Sequence, residues 1–366
     1  MRQSQKTNHF LWSLTFVILL VGLVILISAS SVVGEQTYGD VFYFVKRQLF
    51  QGVFLGLLLA WLMSKIDYHK LKKGALILLG LNVLFVLLGF IPALQLPGAT
   101  SQRWLKIGAL SVQPSEFLKL TFIIFLSALL TKFSLLERKR IWGKPFIFYV
   151  LSLGLIAFIL IEQPSTGTLI VLGLASLLVY FISGMSGRQI LVVALVGVMG
   201  FSLLMAQGGY RKERIKSFLA AQDDPMGKGY QISQSLIGIG SGGLWGIGFG
   251  RSVQKFNYLP QSHSDAIFSI IAEELGFIGA GCIIILYILF LSVGVKIARG
   301  SPDSFGKFLA VGLTANIIIQ ALINIGAMCK LLPITGIPLP FISYGGSALT
   351  TNLISIGILS NIAKQS

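Results

Sequence analysis

The chain has 366 residues, of which 54% are hydrophobic and only 11% are charged, and its mean hydropathy is +0.83. An ordinary soluble domain carries roughly 25% charged residues, so the composition excludes that class and predicts an integral membrane protein. The formal net charge of +16 would also suit nucleic acid. Most of it lies in short loops between apolar runs, where anionic lipid headgroups suffice as partners, so we expect no nucleic-acid partner.

About ten apolar runs approach or exceed the length that crosses a bilayer, about 17 to 25 residues. In chain order they cover 11–31, 49–64, 74–92, 115–132, 145–161, 167–183, 189–206, 267–292, 308–327 and 346–363. The runs are continuous rather than alternating, which indicates helices and not a transmembrane barrel. We therefore predict an all-α integral membrane protein, with residues 1–366 forming a single polytopic domain whose first helix is retained and not cleaved as a signal peptide.

Lys and Arg residues are concentrated in the short loops on one side of the predicted bundle. That side holds Arg2, Lys6, Lys65, Lys70, Lys72, Lys73, Lys132, Arg138, Lys139, Arg140, Lys144, Arg188, Lys296, Arg299, Lys307 and Lys364. The short connections of the other side carry only Lys46, Arg47, Arg103, Lys106 and Lys330. The positive-inside rule then places both termini in the cytoplasm, and it places the long 207–265 loop, between helices 7 and 8, outside the cell.

The cysteines and histidines form no recognisable framework. Cys282 and Cys329 lie in or at the edge of apolar runs, which disfavours a disulfide. His9, His69 and His263 stand at unrelated places, so the sequence contains no zinc-type ligand set. It also lacks the inverted pair of Gly/Pro-broken helices that is typical of many secondary transporters.

The first polar motif precedes the fourth predicted helix and contains Gln113-Pro114-Ser115-Glu116 and Lys119. Pro114 fits the first helical position, and Glu116 falls in the first turn, where the helix dipole favours a carboxylate. Glu116 and Lys119 are three residues apart and share a face. A helix start with a neutralising charge pair is one interpretation. The other is an inner, non-lipid face lining a polar cavity, because ionisable residues are costly at membrane depth.

The long outer loop contains a basic run with Arg211, Lys212, Arg214 and Lys216. Such a run would suit a phosphate or pyrophosphate at the outer leaflet, although an amphipathic helix on the membrane surface is the alternative. The later segment 235–250 is rich in glycine, which predicts a shaped loop buried in protein.

Asp265 stands where this loop meets the eighth predicted helix, a place where a carboxylate can meet a lipid-borne substrate. A purely structural role for Asp265 would be to cap that helix. Ser262, His263 and Asp265 are too close in sequence to favour a catalytic triad. Glu273 and Glu274, two turns on, need partners at membrane depth.

The segment 332–347 contains three prolines, which indicates a rigid element before the last helix that is either functional or a structural plug.

Together these motifs resemble the SEDS family (shape, elongation, division and sporulation), the RodA and FtsW type of peptidoglycan glycosyltransferase. The resemblance covers nearly the whole chain in order. It rests on Arg103-Trp104, Gln113-Pro114-Ser115-Glu116 with Lys119, Gly229-Tyr230-Gln231 with Gln234-Ser235, Gly242-Gly243-Leu244-Trp245-Gly246, Tyr258-Leu259-Pro260, His263-Ser264-Asp265, Glu273-Glu274-Leu275-Gly276, and the segment from Pro333 to Ser347.

The resemblance implies ten transmembrane helices in the bacterial cytoplasmic membrane, and polymerisation of lipid II into glycan strands on the outer face. The family's essential aspartate maps onto Asp265, which we expect to act as the general base that takes the proton of the acceptor hydroxyl. The predicted substrate-binding or cavity residues are Glu116, Lys119, Arg103, Arg211, Arg214, Gln231, His263 and Ser343. The leaving pyrophosphate needs positive charge from Arg211, Lys212, Arg214 or Lys119, and a divalent cation (Mg²⁺ or Mn²⁺) at an unassigned site is a further candidate.

One position departs from the family pattern. The chain reads Gln163-Pro164-Ser165-Thr166-Gly167 where the family commonly has Pro-Asp-x-Gly, so Ser165 replaces an acidic residue.

Residues 210–231 look more like the division enzyme FtsW than the elongation enzyme RodA. The resemblance implies a class B penicillin-binding protein (a transpeptidase) as partner, beside divisome or elongasome membrane proteins. The alternatives are a RodA-like elongation enzyme, a lipid II flippase or transporter, and a scaffold that only recruits the transpeptidase.

Overall fold

A computed structural model describes residues 2–95, 103–108, 110–206, 218, 227 and 229–366. Twelve helices of five residues or more lie in these ranges. They are α1 Arg2–Tyr38, α2 Tyr43–Lys65, α3 Tyr68–Leu87, α4 Pro114–Leu130, α5 Leu135–Lys139, α6 Lys144–Glu162, α7 Thr166–Ile182, α8 Gly187–Ala206, α9 Tyr230–Ser241, α10 Ile267–Gly300, α11 Ser304–Met328 and α12 Gly346–Gln365. Each of the ten predicted apolar runs overlaps one of these helices, and the short helices α5 and α9 are additional.

Among the described residues, six helices are long and apolar enough to cross a membrane: α1, α2, α3, α6, α10 and α11. Helices α4 and α7 have 17 residues each. Helix α12 has 20 residues with many Ser, Thr and Asn side chains, and every residue from Ser347 to Ala363 is buried against other helices. The chain is therefore an all-α, multi-pass membrane protein in which α12 is a central helix.

A small β-hairpin precedes α4 and was not predicted. Strand β1, Leu105–Ile107, pairs antiparallel with β2, Leu110–Val112. The hairpin leads directly into α4, and the backbone N–H of Gln113 donates to Ser347 Oγ at 3.0 Å. The start of α4 is thereby fixed against the start of α12.

Helices α2 and α12 pack closely because small residues line their contact. A Cβ atom added to Gly357 would lie 2.2 Å from the Ala60 carbonyl oxygen, and one added to Gly56 would lie 2.6 Å from a methyl group of Leu353. Helix α2 also contains a π-helical stretch, Leu49–Phe54, beside the start of α12.

Both chain termini lie at one end of the bundle. Trp12 Nε1 donates to Ser360 Oγ at 3.0 Å, which joins α1 to α12, and the backbone N–H of Tyr68 donates to Asn361 Oδ1 at 3.0 Å. The Tyr68 hydroxyl donates to Asp303 at 2.8 Å, so the loops before α3 and α11 share this end. These are the loops in which the sequence concentrates Lys and Arg.

Candidate functional site

At the opposite end, the proline-rich element, residues 333–345, packs on the segment that carries Asp265. Ser343 Oγ donates to the Ser264 carbonyl at 2.6 Å, and the backbone N–H of Tyr344 donates to the His263 carbonyl at 3.0 Å. Two motifs far apart in sequence therefore form one wall, and the predicted site residues Ser343, His263 and Asp265 lie together.

Helix α11 connects both parts of this wall through one amide. Asn324 is 2% exposed, and its Nδ2 donates to the Asp265 carbonyl at 2.7 Å and to the Ile337 carbonyl at 2.8 Å. Asp265 itself is 8% exposed and lies just before α10. Its backbone position is therefore set from α11.

Glu116 and Lys119 form the buried ion pair that their spacing predicts. Lys119 Nζ lies 2.9 Å from Glu116 Oε2, and the two side chains are 1% and 3% exposed. Lys119 Nζ also donates to Gln320 Oε1, and Gln320 Nε2 donates to the Pro338 carbonyl at 2.8 Å. The ammonium group is thus paired with a carboxylate and bound to a buried amide, which favours a positioning role for Lys119 over direct contact with a pyrophosphate.

Sequence reasoning missed Gln320 and Asn324, which link these parts. They are four residues apart on α11 and share one face of the helix. The signal was available, because two amides on one face of an apolar helix must find buried partners. Gln48 on α2 was also missed. Its Nε2 donates to the Ser343 carbonyl at 3.2 Å, and its Oε1 accepts from the Gly345 N–H at 3.0 Å.

His263 packs between aromatic rings. Its ring centroid lies 4.3 Å from that of Phe44 and 5.9 Å from that of Tyr344. His263 lies before α10, outside the membrane-spanning helices, and burial lowers its pKa to about 4. The imidazole is therefore neutral at pH 7. Ser262 Oγ donates to the Ala29 carbonyl at 3.3 Å, so it is not oriented as a triad nucleophile would be.

The glycine-rich loop docks against a break in α10. Gly276 has φ 68° and ψ −168°, a conformation essentially restricted to glycine, and it interrupts the helix. The N–H of Phe277 donates to the Gly243 carbonyl at 2.8 Å, and the N–H of Ile247 donates to the Glu273 carbonyl at 3.0 Å. A Cβ atom on Gly246 would lie 2.1 Å from the Glu274 carbonyl oxygen, so the loop needs glycine for this close approach.

Glu273 and Glu274 have the partners that their depth requires. Glu274 Oε1 accepts from Ser28 Oγ at 2.6 Å and lies 3.2 Å from Lys255 Nζ. Glu273 Oε1 accepts from the Val253 N–H at 3.0 Å, and its Oε2 accepts from Ser252 Oγ. Both carboxylates anchor the 250–255 segment to α10. Lys255 was not singled out from the sequence.

The other predicted residues are less closely connected to this wall. Gln231 on α9 makes a long contact, 3.5 Å from Nε2 to the Pro260 carbonyl. Arg103 is partly buried and lies just before β1. Arg211 and Arg214, with Lys212, lie outside the described residues, so their pyrophosphate-binding role stays a prediction.

Ser165, at the position where the family pattern is acidic, is 1% exposed in the turn before α7. The start of α7, directly after that turn, packs against the proline-rich element, since a Cβ atom on Gly167 would lie 2.6 Å from Ile337 Cγ2 and 2.9 Å from the Thr335 carbonyl oxygen. The departure from the family pattern therefore lies in the supporting structure of the wall.

The described residues do not assemble a cation site by themselves. Among them, no group of three His, Cys, Asp or Glu side chains is arranged to hold a metal ion. Glu116 and Glu274 are each paired with a lysine. The divalent cation stays a prediction, and no step below depends on it.

Comparison with known proteins gives one consistent result. Residues 8–366 match the cell cycle protein family of FtsW, RodA and SpoVE. Stage V sporulation protein E of Bacillus subtilis is 40% identical over 357 residues, covering 96% of each chain. A probable peptidoglycan glycosyltransferase FtsW of Coxiella burnetii is 34% identical, covering 99% of each chain.

Two solved structures share the fold. A chain from a peptidoglycan synthase complex, described as showing structural coordination of polymerization and crosslinking, matches with a TM-score of 0.76 and 26% identity, covering 96% of both chains. The rod shape determining protein RodA of Thermus thermophilus matches with a TM-score of 0.67 and 26% identity, covering 96% of this chain and 95% of that one.

Proposed function

The chain belongs to the FtsW, RodA and SpoVE family of cell cycle proteins, and on that premise we propose that it is a peptidoglycan glycosyltransferase that polymerises lipid II into glycan strands. One observation supports this most directly. Asp265 is positioned at the end of the bundle opposite the termini, where a long loop, the proline-rich element and α11 meet.

The proposed chemistry assigns Asp265 one task. The hydroxyl of the acceptor sugar attacks the anomeric carbon of a lipid-linked donor, and the Asp265 carboxylate takes the proton of that hydroxyl. The new glycosidic C–O bond forms as the bond from the anomeric carbon to the pyrophosphate oxygen breaks. The leaving group is undecaprenyl pyrophosphate. We assign the stabilisation of its negative charge to Arg211 and Arg214. Lys119 instead positions the proline-rich element through Gln320.

We also propose the bacterial cytoplasmic membrane as the location, with both termini in the cytoplasm and Asp265 on the outer face. The loops that share one end of the bundle with the termini are the Lys- and Arg-rich ones, which supports this orientation through the positive-inside rule.

A lipid II flippase is the second candidate. The polar motifs of the candidate site meet around Asp265 at the end of the bundle opposite the termini, which favours chemistry at one face over transport.

For the biological role we propose septal wall synthesis with a class B penicillin-binding protein as partner, within the divisome. Full-length matches to proteins named FtsW support division, and the match to a chain of a peptidoglycan synthase complex supports a synthase partner. A RodA-like role in elongation is the alternative. Depleting the protein in its host distinguishes them, because loss of a septal enzyme gives filaments and loss of an elongation enzyme gives rounded cells.

The activity is tested with purified full-length chain and lipid II. General acid–base catalysis contributes about 10² to 10⁴ in rate, so we expect Asp265→Asn to lower polymerisation by that factor. Glu35→Gln is the matched control, because Glu35 is an exposed carboxylate near the end of α1. Glycan polymer is measured on gels, and thermal melting checks folding. Full polymerase activity in Asp265→Asn would remove Asp265 from the mechanism.

The same preparation tests the rival functions. Transbilayer movement of labelled lipid II in vesicles without polymer would indicate a flippase, and retained complementation by Asp265→Ala would indicate a scaffold. Running the assay with and without the partner transpeptidase, and with Mg²⁺ or Mn²⁺ replaced by a chelator, tests the proposed partner and cation.

A further inference from the structure

A basic cleft lies at the end of the bundle that holds both termini, far from Asp265 along the bundle. It has a volume of about 530 Å³ and is lined by Lys139, Arg140, Ile141, Ser186, Gly187 and Arg188. Its place is set by Arg138, whose guanidinium lies 5.5 Å from the ring centre of Phe308 near the start of α11. We propose that this cleft, which we call the basic cleft, binds the phosphate-bearing headgroup of an anionic phospholipid.

The two segments that line the basic cleft are fixed to one another. Gln189 on α8 is fully buried, and its Nε2 donates to the Arg138 carbonyl at 2.9 Å and to the Arg140 carbonyl at 3.1 Å. Its Oε1 accepts from the Ser186 N–H at 2.8 Å. One buried amide therefore joins the α5–α6 connection to the start of α8. The relative position of the two backbone segments that carry the cationic side chains is thus built into the fold.

The positive charge of the cleft is offset only in part within the part of the chain that the structure describes. Lys139, Arg140 and Arg188 are exposed and form no ion pair there. The nearby carboxylate of Glu137 accepts from the Ser134 N–H at 2.8 Å and from Ser134 Oγ at 2.9 Å, and its negative charge offsets part of the positive charge of Arg140. Those hydrogen bonds lower the Glu137 pKa.

Helix α8 begins at Gly187, so its positive end borders the same cleft. Three cations and a helix start suit a phosphate group.

The surroundings indicate a lipid rather than a free phosphate. Leu136 in α5 is 77% exposed and Trp142 in the α5–α6 connection is 81% exposed, and both are close in sequence to Lys139 and Arg140. Leucine and tryptophan side chains beside a cationic cleft fit the boundary between headgroups and acyl chains, where tryptophan is enriched in membrane proteins. A lipid in the basic cleft would place its phosphate among the cations and its acyl chains beside these two side chains.

The test uses the full-length chain in mild detergent and counts bound lipid by native mass spectrometry, with phosphatidylglycerol and phosphatidylcholine as probes. A basic residue near an anionic surface contributes roughly fivefold in affinity, so we expect the triple variant Lys139→Gln, Arg140→Gln, Arg188→Gln to bind phosphatidylglycerol about 100-fold more weakly. The matched control is Lys70→Gln, Lys73→Gln, Lys307→Gln, which removes the same charge from exposed positions at the same end of the bundle.

The control triple should bind within about threefold of the parent chain, and so should the charge-preserving triple Lys139→Arg, Arg140→Lys, Arg188→Lys. If both Gln triples lost the same affinity for phosphatidylglycerol, the effect would come from net charge alone, and the basic cleft would not be a specific site. Binding of phosphatidylcholine as tight as that of phosphatidylglycerol would show that the cleft has no preference for an anionic headgroup. Displacement of the lipid by excess glycerol phosphate would show that a free phosphate compound, and not a lipid, is the ligand.

Discussion

The backbone of Asp265 is positioned by a buried amide, and this is the residue-scale feature on which the proposed chemistry depends. A general base must lie within hydrogen-bond reach of the proton it takes, so a displaced main chain costs rate even when the carboxylate is present. Asn324 fixes that main chain and the Ile337 carbonyl with a single Nδ2 group. Asp265 and the proline-rich element therefore have one common support.

His263 provides a prediction on pH. Its pKa of about 4 lies below its ordinary value of 6.5, so the unfolded chain binds more protons than the folded chain between these values. The contribution of the neutral imidazole to the free energy of unfolding is fully present above pH 6.5, and it is lost as pH falls toward 4. It corresponds to roughly 3 kcal/mol at most, reduced by the partial exposure of the ring. Thermal melting in detergent should show wild type losing stability in this window.

The His263→Gln variant should lose less stability over the same pH range, because it lacks the titrating group. His9→Gln, at an exposed position in α1, should follow wild type. A His263→Gln chain with the full wild-type pH dependence would show that another group titrates there.

At the scale of the element, the glycines around α10 have a structural explanation. The long helix is interrupted at Gly276, and the glycine-rich loop pairs with the backbone that the break leaves open. Glu273 and Glu274 hold the 250–255 segment, which follows that loop in sequence. The Glu-Glu-Leu-Gly motif is thus one unit: two carboxylates that anchor a loop, and a glycine that opens the helix to receive it.

Gly276→Ala should disrupt this element. The added Cβ atom would lie 2.3 Å from the Gly246 nitrogen at a φ of 68°, and such strain costs about 1–3 kcal/mol. We expect a clearly lower melting temperature and reduced polymerisation. Gly281→Ala is the control in the same helix, because its Cβ atom would meet nothing within 4 Å and alanine favours a helix. Equal melting temperatures for the two variants would contradict the close docking of the loop.

At the scale of the whole molecule, a polar network connects parts that are remote in sequence. Glu116 and Lys119 on α4, Gln320 on α11 and the Pro338 carbonyl form one buried chain of contacts. Because each polar group satisfies the next, the three parts are fixed relative to one another in a low-dielectric interior.

Lys119→Met should therefore be strongly destabilising, by about 3–5 kcal/mol, because it leaves the Glu116 carboxylate buried without its cation. The double variant Glu116→Gln, Lys119→Met should recover most of the melting temperature. It should still polymerise lipid II more slowly, since Gln320 has lost its partner. The exposed pair Lys46–Asp40 is the control, with Lys46→Met expected to melt like wild type. A double variant as unstable as Lys119→Met would exclude charge burial as the cause.

Much of this protein could be predicted from its sequence. Continuous apolar runs determine the helices, because a bilayer leaves backbone polar groups no other partners. The distribution of Lys and Arg predicts an orientation that stays a prediction, whereas the Glu116–Lys119 spacing predicts the ion pair that the structure contains. The family follows from motifs spread in order along the chain, and the comparisons confirm it.

Tertiary structure alone decided how those motifs combine. The contacts of Gln320, Asn324 and Gln48 with the proline-rich element, and that of Lys255 with Glu274, join residues from 13 to 297 positions apart, and no local periodicity encodes them. Asp67 and Asp303, which cap α3 and α11, could be read locally because a cap depends on its immediate neighbours. The wall around Asp265 could not be read in this way, because it is made of side-chain amides that bond to carbonyls from distant segments once the helices have packed.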